Sequence, residues 1–254
     1  MALCATIFTW FVTALGAAVV IFFKNPKQLH LNLLMGFAAG VMVAASFWSL
    51  LQPATELAAE LGTAPWLIAT SGFLCGALFM WSADKAVSLA RRQGGSAAGS
   101  RRRLLLIMSI TLHNIPEGLA VGVAFGALGK GYSTEALMGA VSIAVGIALQ
   151  NFPEGAAVSL PLRRDGLSRG KSFLLGQASA MVEPLAGLAG AMLVTQVQRL
   201  LPFALAFAAG AMILVAVHEL IPECQCDREG SPYLATMGIV AGFSLMMLLD
   251  VALG

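Results

Sequence analysis

Two short segments of this sequence place reactive residue types where such residues are costly. His113-Asn114-Ile115-Pro116-Glu117-Gly118 and Gln150-Asn151-Phe152-Pro153-Glu154-Gly155 share one pattern: His or Gln, then Asn, any residue, Pro, Glu and Gly, repeated at an offset of 37 residues. Each sits inside a long apolar stretch. A charged side chain at mid-bilayer costs at least about 2.5 kcal/mol, so a glutamate kept there twice, in the same register, needs a reason. On a helix, His113 and Glu117 are four residues apart, as are Gln150 and Glu154, and each Asn lies three before its Glu. All of them therefore fall on one face. Pro116 and Pro153 each remove a backbone donor and loosen the preceding turn, which frees the carbonyls of Leu112 and Leu149. Two such faces offer two carboxylates, one imidazole and three amides. That donor set suits divalent metal ions.

The elements that must position these residues are read from composition. Of 254 residues, 58% are hydrophobic and 11% charged, and the mean hydropathy is +0.84. A soluble domain carries about 25% charged residues. An ordinary soluble enzyme, a disordered chain and a nucleic-acid binder are excluded. Eight apolar stretches, about 4–23, 31–52, 64–83, 104–127, 136–162, 172–197, 200–222 and 232–253, are long enough to cross a bilayer as helices. The expected fold is an all-α integral membrane protein of eight transmembrane helices. Its single transmembrane domain covers 1–254, with no room for a separate soluble domain and with a basic cytoplasmic loop at 84–103. The apolar start, with no basic leader, reads as a first span and not a cleaved signal.

Charge gives the orientation. Lys24, Lys27, Lys85, Arg91, Arg92, Arg101, Arg102, Arg103, Arg163, Arg164, Arg169, Lys171 and Arg228 follow spans 1, 3, 5 and 7, whereas Lys130 and Arg199 alone lie on the other side. Thirteen of the 15 basic residues on one side mark it as cytoplasmic, so both termini are expected outside. The two motifs lie on consecutive, antiparallel spans. Such a repeat implies inverted topology, with matched residues meeting at the midplane.

The sixth span adds Glu183-Pro184, with Pro184 expected to free the carbonyl of Ala180, and Gln177 lies earlier on the same span. Three carboxylates in one layer repel one another, and a divalent cation relieves that repulsion. His218 and Glu219 lie near the cytoplasmic end of span 7. Asp250, at the outer end of span 8, reads as interfacial, and His30 as a loop residue. Cys4, Cys75, Cys224 and Cys226 suggest no disulfide framework, although Cys224-Gln225-Cys226 offers a weak soft-metal motif.

HNIPEG and QNFPEG, followed by GQASAMVEPLAG (176–187), resemble the ZIP (Zrt-, Irt-like) divalent-metal transporters, in particular the bacterial, GufA-like branch. The stretches 36–56 and HELIPE (218–223) extend the resemblance over nearly the whole chain. The resemblance implies a 3+2+3 arrangement of spans and a binuclear metal centre. One position would be formed by His113, Glu117, Gln150 and Glu154, with Met42. The second would be formed by Asn114, Glu117, Asn151, Glu154 and Glu183, the two motif glutamates bridging. It also implies that Ser49 and Glu56 line the path from outside, that His218 and Glu219 line the way out to the cytoplasm, and that the assembly is a homodimer. Gln150 stands where many relatives have His, and Asn151 where some have Asp, which leaves the cargo open between Zn2+ and a broader set with Fe2+, Mn2+, Cd2+ or copper.

The implied function is zinc or other divalent-metal transport into the cytoplasm by alternating access, with no cofactor. The implied location is the cell membrane, the inner one in a Gram-negative cell, crossed many times. Small-residue faces, Gly36, Ala38, Ala39 and Gly40 and also Gly118, Gly122 and Gly126, suit sliding of one helix bundle on another. Glu56 and Glu60 place negative charge at the outer mouth. The same residues also permit a metal-dependent intramembrane hydrolase or a passive metal channel. Against a hydrolase stand the lack of His-Glu-x-x-His, the proline among the ligands and the symmetric duplication.

Overall fold

In hydrocarbon, backbone N–H and C=O groups must be paired within the chain, so long apolar runs coil into helices. The computed structural model describes residues 1–22, 28–92, 98–129, 133–196, 198–225 and 232–253, and these are helical apart from short turns. In order they form α1 (Ala2–Phe22), α2 (Gln28–Ala45), α3 (Gln52–Glu60), α4 (Pro65–Arg92), α5 (Ala98–Ala127), α6 (Thr134–Arg164), α7 (Arg169–Ala178), α8 (Val182–Gln196), α9 (Leu201–Val215), α10 (Ile221–Gln225) and α11 (Pro232–Leu253). Seven helical stretches among the described residues are long and apolar enough to cross a membrane by length and composition. The remaining apolar run, 104–127, lies in the 30-residue helix α5. Lys24, Lys27, Lys130, Cys226 and Arg228 lie outside the described residues, as do residues 93–97 of the basic stretch.

The structure moves several expected boundaries. The basic stretch 84–103 is largely helix, because α4 runs to Arg92 and α5 starts at Ala98. Arg and Lys are good helix formers, so nothing in that stretch stops the coil at the edge of its apolar part. The second span continues past residue 52 to Glu60, which puts Glu56 on α3. His30 lies in the first turn of α2 and is exposed, not in a loop. The sixth span is broken. Between α7 and α8 the chain closes tight turns, with Ala180 N–H donating to Gln177 O, Met181 N–H to Ala178 O and Glu183 N–H to Ala180 O. The Ala180 carbonyl is therefore taken up by Glu183 and not freed by Pro184.

Two single-turn π-helices interrupt long spans: Ser46–Leu51 between α2 and α3, and Ala216–Leu220 between α9 and α10. In each, a backbone N–H reaches five residues back, Gln52 to Phe47 O and Ile221 to Ala216 O. Pro53 and Pro222 follow two residues after these turns. Proline withdraws a donor from the ladder, and one extra residue per turn absorbs the mismatch. Gly62 (φ 66°) and Gly166 (φ 90°) end α3 and α6 in left-handed turns, where Thr63 N–H bonds Ala58 O and Leu167 N–H bonds Leu162 O.

The helices pack in matched pairs: α1 on α6 and α5 on α8, and α2 on α11 and α4 on α9. The first four, with α7, make one bundle; the last four make another; α2 with α6 and α5 with α9 join the two. Polar side chains lie inside and large apolar ones outside. Phe11, Trp66, Leu78, Leu185 and Tyr233 are all more than half exposed, whereas Thr9, Glu117, Gln150, Asn151 and Glu183 are 0% exposed. This distribution is the inverse of a soluble protein's.

Candidate metal centre

The two motifs occupy α5 and α6, and the glycine after each glutamate explains how neighbours reach them. A Cβ on Gly118 would lie 2.5 Å from the Glu183 carbonyl oxygen and 2.8 Å from its Cα. Glycine there lets α8 lay Glu183 beside Glu117. A Cβ on Gly155 would meet the Thr13 carbonyl, so glycine there brings α1 against α6. Each motif thus carries both its polar residues and the landing place for a neighbouring helix.

The side chains form one connected network. Gln150 Nε2 donates to Glu117 Oε1 at 2.8 Å, joining α6 to α5. Asn151 Nδ2 lies 3.0 Å from both oxygens of Glu183, joining α6 to α8. Asn114 Nδ2 donates to Ile110 O at 3.0 Å and to Ser179 O at 3.2 Å, holding the break between α7 and α8 to α5. His113 Nε2 is 2.9 Å from Glu219 Oε1, which ties α5 to the second π-turn. Glu154, one turn beyond Gln150 on α6, is 8% exposed.

What the network leaves over is informative. Asn114 Oδ1, Glu117 Oε2, Gln150 Oε1 and Asn151 Oδ1 are buried with no hydrogen-bond partner. A buried oxygen without a partner costs roughly 1–3 kcal/mol. Four of them on four motif residues make a set of hard donors suited to a divalent cation. Among the described residues no three His, Cys, Asp or Glu side chains gather as a metal-binding group. Three of the four leftover oxygens belong to amides, His113 is paired with Glu219, and Glu183 is held by hydroxyls and an amide.

The other expected residues fall as follows. Met42 is 0% exposed within the apolar core, in a cluster with Ala120, Val121 and Ile147. Ser49, on the first π-turn, donates to Asp250 Oδ1 at 2.7 Å, and Ser142 of α6 donates to the same oxygen at 2.8 Å. Asp250 is thus not merely interfacial: it pins α11 to the first π-turn and to α6, and its Oδ2 is buried without a partner. Glu56 and Glu60 are exposed on α3, and Glu56 accepts from Gln52 Nε2 at 3.0 Å. His218 is exposed and stands 3.7 Å from Asp84 Oδ2 on α4. Gln177 accepts from Trp10 Nε1 through its backbone carbonyl. Cys4 and Cys75 are free and exposed, and Cys224 is buried.

Sequence reasoning missed Thr9, Thr13, Asp84 and the bonded role of Asp250. Thr9 Oγ1 donates to Glu183 Oε2 at 2.6 Å, and Thr13 Oγ1 lies 3.4 Å from Glu183 Oε1. Their signal was present: Thr6, Thr9 and Thr13, spaced three and four apart, are the buried polar face of an otherwise apolar first span.

Many apolar helices around a buried centre of carboxylates and amides define a helical membrane protein with a polar interior. A family model described as "ZIP Zinc transporter" matches residues 92–250. The zinc transporter ZIP11 of Xenopus tropicalis is 39% identical over 328 aligned residues, covering 99% of this chain and 97% of that protein. The zinc transporter GufA of Myxococcus xanthus is 36% identical, covering 99% and 98%. The zinc transporter ZIPB of Bordetella bronchiseptica is 38% identical, covering 95% and 78%. The chain belongs to the ZIP zinc transporter family.

Proposed function

We propose that this chain carries divalent metal, zinc first among them, into the cytoplasm through the centre between α5, α6 and α8. The observation that carries this reading is the set of four buried, unpartnered oxygens on Asn114, Glu117, Gln150 and Asn151, in one network with the Glu183 carboxylate. A divalent cation satisfies the oxygens and the charge together. The centre is binuclear, with Glu117 and Glu154 shared. His113 and Gln150 complete one position; Asn114, Asn151 and Glu183 complete the other. Met42, from α2, belongs to the first position as well.

Glu56 and Glu60 attract cations to the outer mouth, and Ser49 lies on the way in. Glu219, which reaches His113, and His218 receive the ion on the cytoplasmic side. Eight spans in a 3+2+3 inverted arrangement put both termini outside, a reading supported by the basic residues and the matched helix pairs. Alternating access comes from movement of the bundle of α1, α5, α6, α7 and α8 against the other. The protein works as a homodimer in the lipid of the cell membrane.

Uptake of zinc by proteoliposomes tests this. The wild type saturates with zinc concentration, as a carrier does. Glu117→Ala and Glu154→Ala fold and give background uptake. Wild-type uptake by both variants overturns the site, and flux that rises linearly without saturation overturns the carrier in favour of a channel.

A further inference from the structure

We propose that Thr9 and Thr13, on the first helix, are positioning residues of the metal centre: they hold Glu183, and through it the carbonyl oxygen of Asn151, in place for a cation. This rests on the transport site proposed above and extends it to a helix that carries none of its motifs. Thr9 acts twice. Its hydroxyl donates to Glu183 Oε2 at 2.6 Å, and its backbone carbonyl lies 3.4 Å from Asn151 Nδ2. Asn151 spends its amide nitrogen on Glu183 and Thr9, which leaves Oδ1 buried and free of protein partners. Thr13 reaches the other oxygen of Glu183 at 3.4 Å. One carboxylate is thus gripped from two helices, and the grip decides which way an amide oxygen points.

Each hydroxyl also has a second acceptor. Thr9 Oγ1 lies 3.0 Å from Thr6 O, and Thr13 Oγ1 lies 3.3 Å from Thr9 O. Threonine in an apolar helix commonly bonds back to a carbonyl three or four residues earlier. Here the back-bond is a resting place. A hydroxyl has one proton to give. When Glu183 swings away from the cation position as cargo leaves, Thr9 can give its proton to Thr6 O, so no buried donor is orphaned. Glu183 can then leave and return at little cost, as a ligand of moving cargo must. The approach of α1 that makes this possible depends on two glycines: a Cβ on Gly155 would meet Thr13 O, and one on Gly187 would meet the Thr6 methyl.

Zinc uptake by proteoliposomes of Thr9→Val, Thr9→Ser, Glu183→Gln and the Thr9→Val/Glu183→Gln double variant tests the proposal, with Glu117→Ala alongside. Val keeps the shape and deletes the hydroxyl. Its KM for zinc is expected to rise about tenfold, the range for loss of a group that orients a metal ligand, while the maximal rate stays near wild type. Thr9→Ser restores the KM, and Thr9→Val adds nothing in the Glu183→Gln background. A wild-type KM in Thr9→Val, failure of Ser to restore it, or additive effects in the double variant overturn the proposal. Should Thr9→Val not fold, Thr13→Val carries the same test with the same outcomes. If Glu117→Ala takes up zinc at the wild-type rate, the transport site itself is wrong; if only the threonine variants behave as wild type, this inference alone fails.

Discussion

Gln150 shows how one neutral side chain serves a charged centre. Its amide nitrogen bonds Glu117 and its carbonyl oxygen is left over. An imidazole in its place would supply a better zinc ligand and would hold cargo longer. Gln150→His is therefore expected to lower the KM for zinc and to lower the maximal rate, both by about tenfold if the added ligand contributes 1.4 kcal/mol. Uptake kinetics measure both. An unchanged KM would mean that residue 150 does not touch the ion. At this scale the motif residues were legible because a doubled glutamate in an apolar span is expensive. The partners of Thr9 and Asp250 were not. A threonine costs little in a span, and its partner Glu183 is 174 positions away, a pairing that only the fold creates. Asp250 sits near a helix end, where water is the ordinary partner, and no spacing announced Ser49 and Ser142.

Among elements, the informative positions are the ones with least side chain. Gly118 and Gly155 follow the motif glutamates and admit the backbones of α8 and α1. Gly118→Val and Gly155→Val should each cost about 1–3 kcal/mol through overpacking, and more where the backbone itself must shift. A thermal melt in detergent measures this, and an unchanged Tm contradicts the docking described here. The prolines were visible in the sequence; their consequences were legible only in part. Pro116 and Pro153 sit inside continuous helices, whereas Pro53 and Pro222 follow π-turns that open at Ser46 and Ala216. Those two turns belong to matching stretches. Phe37-Ala38-Ala39-Gly40 recurs as Phe207-Ala208-Ala209-Gly210, and each π-turn opens six residues after its glycine. The break between α7 and α8 left no hydropathy signal, because tight turns of Ser, Ala and Met remain apolar enough to read as one span.

The whole molecule was the most legible level. Low charge and long apolar runs gave helices and their order, because lipid constrains these more tightly than it constrains any contact; the one-sided basic residues set an expected orientation. The limits of runs drifted where helices continue into polar sequence, as at Arg92 and Glu60, and the sixth run is two helices. The orientation makes its own prediction. An epitope tag at either terminus is expected to bind antibody on intact cells or spheroplasts, and a tag within 93–97 only after permeabilisation. The reverse pattern would invert the direction of transport proposed here.

The central claim is that cargo sits among the leftover oxygens of α5 and α6. Anomalous diffraction from crystals grown with cadmium tests it most directly. The account predicts anomalous peaks within coordination distance of Glu117 Oε2 and of the amide oxygens of Gln150, Asn114 and Asn151. Peaks confined to other positions, such as the exposed Cys75 or Glu56, with none at Glu117, would contradict it.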